Sequence, residues 1–112
     1  MTHEATYNAS AIYTATLVDG SGNPVGGNLL DSLTLTLKDK ATGQVINGRD
    51  AQDVLNKAGV TLSNLGALVW DVTPLDNTIV HVGAKVEEHE AEFVWEWAAH
   101  IGRHKFTILV RR

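Results

Sequence analysis

The sequence predicts an all-β fold: an antiparallel β-sandwich of about seven or eight short strands, with one short helix near residues 50–58. Three observations carry that prediction. Apolar and polar residues alternate with period two along most of the chain, most plainly where Leu33, Leu35 and Leu37 interleave with Thr34, Thr36 and Lys38. Clusters of turn formers such as Asp19-Gly-Ser-Gly-Asn-Pro24 and Thr73-Pro-Leu-Asp-Asn77 separate the alternating runs. The 112 residues are 44% hydrophobic and contain no cysteine. A chain of that length buries roughly two thirds of its unfolded surface, enough for one core without disulfides.

Residues 1–10 are small and polar and read as a flexible N-terminal arm, which leaves 11–112 as the domain. In Ile12–Val18 the residues Tyr13, Ala15 and Leu17 share one strand face. Leu33–Lys38 is a half-buried strand, and Lys40-Ala-Thr-Gly43 turns it into a short return strand, Gln44–Asn47. After Gly48 the pattern changes. Asp50 is placed to cap a helix with Ala51, Val54, Leu55 and Ala58 on one face, and Gly59 is placed to end it. Strands follow at Val60–Leu62, Ala67–Val72 and Thr78–Val82. The C-terminal part is a hairpin. His89, Ala91, Phe93, Trp95 and Trp97 share one face of its first strand, Ala98–Arg103 loops over, and Phe106, Ile108 and Val110 face inward on the second. The outward glutamates of the first strand face Lys105 and Arg111 across the ladder.

Several function classes are disfavoured. Without cysteine there is no thiol nucleophile and no cysteine-based zinc site. The net charge of −4 argues against a nucleic-acid binder held by bulk charge. No apolar run approaches the roughly 20 residues of a helical membrane span, and the first residues have neither the basic nor the apolar segment of a signal peptide. Ser10, Ser21, Ser32 and Ser63 lie in no nucleophile elbow. Asp50, Asp53, Asp71 and Asp76 occupy turn and cap positions where a short carboxylate has ordinary structural work. His81, His89, His100 and His104 have no metalloenzyme spacing, and strand alternation keeps Glu88, His89 and Glu90 from converging. The expectation is therefore no catalytic residue, no metal and no cofactor. Phe93 and Trp95 read as core, whereas Trp97 beside the loop reads as partly exposed.

The ordered series of segments resembles a known family. Tyr13-Thr-Ala-Thr-Leu-Val-Asp19 and Gly22-Asn-Pro-Val25 are similar to the first strand and turn of bacterial and phage immunoglobulin-like domains. Leu33-Thr-Leu-Thr-Leu37, Ile46-Asn-Gly-Arg-Asp50, Gly66-Ala-Leu-Val-Trp70, Thr73-Pro-Leu-Asp-Asn77, Glu88-His-Glu-Ala91, Phe93-Val-Trp-Glu-Trp97 and Gly102-Arg-His-Lys-Phe106 continue it over most of residues 7–112. Together they resemble small immunoglobulin-like virion structural proteins of tailed bacteriophages. The resemblance implies a non-enzymatic head, neck or tail component, assembled in the bacterial host cytoplasm. Its partners would be other virion proteins and copies of itself, with no nucleic acid, membrane or small-molecule substrate. It transfers no catalytic residue. Candidate assembly contacts are the acidic strand face (Glu90, Glu92, Glu96), Trp97 and the basic end (Arg111, Arg112). The alternative is an immunoglobulin-like carbohydrate- or receptor-binding adhesion module working through exposed aromatics.

Overall fold

A computed structural model describes residues 2–112, with side chains from residue 3 onward. Its elements are β1 (Thr2–Thr6), β2 (Ala11–Thr16), β3 (Ser32–Asp39), β4 (Gln52–Asp53), β5 (Val60–Leu62), β6 (Ala67–Val72), β7 (Val86–Trp97) and β8 (His100–Arg111). The strands form a five-stranded sheet in the order β1-β8-β7-β3-β4 and a three-stranded sheet in the order β2-β6-β5. All pairings are antiparallel except β1 with β8. This is the all-β, two-sheet architecture that the period-two pattern predicts.

The core lies between the sheets and follows from that pattern. Leu33, Leu35 and Leu37 from β3, Phe93 and Ala91 from β7, and Trp70 from β6 are fully buried. Tyr13, Phe106 and Phe93 stack nearly parallel, with Tyr13 and Phe106 centroids 4.3 Å apart, while Trp70 meets Phe93 edge-on at 5.7 Å. Such offset and T-shaped pairs add about 0.5–1.5 kcal/mol each beyond area burial.

Four expectations need correction. No helix is present among the described residues. Residues 50–58 instead pass through positive φ at Ala51, Asn56 and Ala58, which an α-helix does not admit. Two turns of helix are marginal without tertiary help, and here tertiary contacts favour the extended form. Gln52 and Asp53 pair with Leu35 and Thr34, and Val54 N–H donates to Leu33 O. Second, residues 2–6 of the expected arm form β1, running parallel to β8 with Glu4 opposite Leu109. The side chain of His3 packs edge-on against Tyr13 and Phe106. Third, Gln44–Asn47 makes a single bridge, Lys38 with Val45, rather than a full strand. Fourth, Thr78–Val82 is not a strand, because the N–H groups of Val80 and His81 donate to the carboxylate of Glu87 instead of a neighbouring ladder.

Candidate functional site

The side chains singled out from the sequence do not gather at one place. Glu90 and Glu92 lie on the outer face of β7, within a cross-strand lattice: Lys38 and Lys105 approach Glu90 at 3.6 and 3.8 Å, and Arg103 and Lys105 approach Glu92 at 3.9 and 4.0 Å. Glu96 accepts a hydrogen bond from Ser32 Oγ. Arg111 turns to Glu4 on β1 at 3.0 Å rather than to the glutamates of β7. Arg112 sits over the Tyr7 ring and donates to Ala84 O. Each of these charges has a partner within the chain, at a surface where one pair contributes about 0–1 kcal/mol.

Trp97 is half-buried at the end of β7, with its ring 5.4 Å from that of His100. The two rings line an open recess of about 340 Å³ together with Asp19, Gly20 and Ser21. The Asp19 carboxylate accepts N–H bonds from Ser21 and Asn23, which close the turn and hold its carboxyl below the ordinary value.

Two motif segments of the sequence meet in space. Arg49, from Ile46-Asn-Gly-Arg-Asp50, donates from Nε to Asp76 Oδ1 at 2.6 Å and from Nη2 to Oδ2 at 3.1 Å; Asp76 belongs to Thr73-Pro-Leu-Asp-Asn77. Both side chains are buried and make further hydrogen bonds. Asn47, the Thr73 hydroxyl and the Thr73 N–H donate to Asp76, while Arg49 also reaches Gln52 and Ala58 O and lies 5.7 Å from the Trp70 centroid. Burial raises the Asp76 pKa, but the bonds from Arg49, Asn47 and Thr73 outweigh it, leaving the carboxyl below its usual range. This buried, multiply bonded unit holds the β3–β4 connection onto the β6–β7 connection.

The remaining cluster is one that spacing does not reveal. Asp39 ends β3 opposite His89 of β7, Glu87 lies two residues earlier on the same face, and His81 reaches in from the β6–β7 connection. Glu87 accepts from Val80 N, His81 N, His81 Nδ1 at 2.8 Å and His89 Nε2 at 2.6 Å. Burial raises its pKa, yet those donors bring it below the ordinary glutamate value. Asp39 accepts from the N–H and hydroxyl of Thr42, and its carboxyl is likewise lowered against the opposing effect of burial. A shallow recess of about 330 Å³, lined by Asp39, His81, Ala84 and Glu87 among others, opens onto this group. Chemically the set offers imidazole nitrogens and carboxylate oxygens, the ligands of divalent transition metals. The period-two rule does place Glu87 and His89 on one inward face, but a loop histidine and a residue 48 positions upstream of Glu87 join them only in the folded chain.

Comparison with known proteins finds no matching family model, no matching curated protein and no matching solved structure.

Proposed function

We propose that this chain is an immunoglobulin-like sandwich that serves as a non-enzymatic structural component of a tailed-bacteriophage virion, acting through contacts with neighbouring virion proteins and copies of itself. The residue series described above motivates the family. The strand order supports the immunoglobulin-like assignment: β2-β6-β5 corresponds to a B-E-D sheet, and β8-β7-β3 corresponds to G-F-C with added edge strands. The observation that carries the assembly role is the outer face of the three-stranded sheet. It presents Ile12, Thr14, Thr16, Thr61, Ala67, Val69 and Asp71, a surface with a single charge, and Ile12 is 71% exposed. Its edge strand β2 is paired on one side only. A face with so little charge, bordered by an open strand edge, is what a packing partner uses. Many weak contacts of this kind suffice in a symmetric particle.

Light scattering over a micromolar-to-millimolar concentration series tests the reading. Mass rising with concentration in the native chain and staying monomeric in Ile12→Lys is expected. A chain monomeric throughout, which also fails to co-purify with co-expressed virion proteins, would count against it.

A second reading, a carbohydrate-binding module, is favoured by one observation: Trp97 and His100 wall a recess that also carries Asp19 and Ser21. Signal on a glycan array that disappears in Trp97→Ala would select it over the first.

A further inference from the structure

The recess beside His81 carries a proposal of its own, independent of the assembly role. His81 Nδ1 is 2.8 Å from Glu87 Oε2. The carboxylate accepts from Nδ1–H, which leaves Nε2 as the ring nitrogen turned toward Asp39. That Nε2 lies 3.8 Å from Asp39 Oδ2, too long for a hydrogen bond. Two donors that each bind one zinc-like ion at about 2.0–2.2 Å stand roughly 3–4 Å apart, so the gap matches a pair of ligands sharing an ion. Behind the ring, Glu87 holds the second imidazole nitrogen, the arrangement by which outer carboxylates orient and strengthen metal-bound histidines. Asp39 is fixed in turn by Thr42.

Burial and proximity mark the same group on separate grounds. Asp39 and Glu87 are 1% and 6% exposed, and one ligand atom from each lies within 4.8 Å of the other and of one from His89. Among the described residues, no Lys or Arg nitrogen comes within 4.0 Å of either carboxylate. His89 Nε2 bonds to Glu87, and its buried Nδ1 has no partner. The recess at His81, whose side chain is 46% exposed, is the open route to the pair.

We propose that this recess binds one divalent cation of the zinc class, with His81 Nε2 and the Asp39 carboxylate as protein ligands. Glu87 positions His81, His89 positions Glu87, and water completes the coordination. Soft-borderline ions such as Zn²⁺ and Co²⁺ suit an imidazole ligand, whereas Mg²⁺ and Ca²⁺ favour all-oxygen sites.

Calorimetric titration of the chelator-treated full chain with ZnCl₂, alongside visible absorption on adding CoCl₂, tests it. One equivalent of Zn²⁺ and a Co²⁺ d–d band are expected. Binding should be roughly tenfold or more weaker in His81→Ala and unchanged in His100→Ala, a control on surface histidines. Asp39→Asn should weaken it too. His81→Ala decides the matter alone if the buried Asp39 variant does not fold, with near-ultraviolet dichroism of the tryptophans reporting the fold. Absence of binding at millimolar Zn²⁺, or affinity unaltered in His81→Ala, would overturn the proposal.

Discussion

At the scale of single residues, the buried Arg49–Asp76 pair sets the largest expected effect. Truncating Asp76 to Ala leaves a guanidinium without its anion among Trp70 and the backbone of Ala58, a change that costs about 3–5 kcal/mol. Urea denaturation reads it directly. Replacing both residues by apolar ones should not restore stability fully, since Asp76 also ties Thr73 and Asn47. The same carboxyl gives a pH dependence. Its folded-state pKa lies below the unfolded value near 3.9, so its contribution is fully present above that value and is lost as pH falls through the folded pKa. The native chain should therefore lose urea resistance below about pH 4, more steeply than Asp76→Asn. Equal slopes for the two would show that Asp76 is not the group responsible. Of the two segments that form this pair, Thr73-Pro-Leu-Asp-Asn77 stands out in the sequence as a turn, whereas Arg49 lies between an expected strand and an expected helix. Their meeting is not legible there, because no local pattern links an arginine to an aspartate 27 residues on.

At the scale of elements, the strands that bury a continuous apolar face are the legible ones. Val60–Leu62 and Ala67–Val72 have the bounds that alternation predicts, since every second side chain enters the core. What alternation cannot see is competition for backbone groups. Glu87 captures the N–H groups that would have made Thr78–Val82 a strand, and the free edge of β3 captures the segment expected to be helical. The β7–β8 turn shows the same blindness. A loop over Ala98–Arg103 is expected, yet β8 starts at His100 and the connection is Ala98-Ala99, with φ of 45° and 65°. Positive φ at both positions is the type I′ pattern, which Asn-Gly normally fills, so alanines there give no turn signal. Ala98→Asn with Ala99→Gly should stabilise the protein by about 1–2 kcal/mol, seen as a higher urea midpoint. Nearby, Gly102 lies opposite Trp95, and a Cβ there would overlap the buried indole. Gly102→Ala should cost about 1–3 kcal/mol by overpacking; an unchanged midpoint would mean that Trp95 can move aside.

For the whole molecule, the net charge of −4 matters less than its division between two faces. The outer face of the five-stranded sheet carries Lys38, Glu90, Glu92, Arg103 and Lys105 in alternating contact, with Glu4 and Arg111 beyond. A face whose charges are already answered within the chain has little left to offer a partner electrostatically, and inserting it into an interface would desolvate every pair. The candidate contacts Glu90, Glu92 and Arg111 are charges already paired within the chain. The opposite face has a single charge, Asp71, and exposed Ile12. Association through this weakly charged face predicts a particular salt response. Screening acts on separated charges and leaves apolar burial intact, so self-association should persist or strengthen between about 0.05 and 1 M salt. Lys105→Glu should leave it unaltered, whereas Ile12→Lys should abolish it. Association that instead dissolves in salt and responds to Lys105→Glu would move the interface to the five-stranded sheet, where the sequence alone places it.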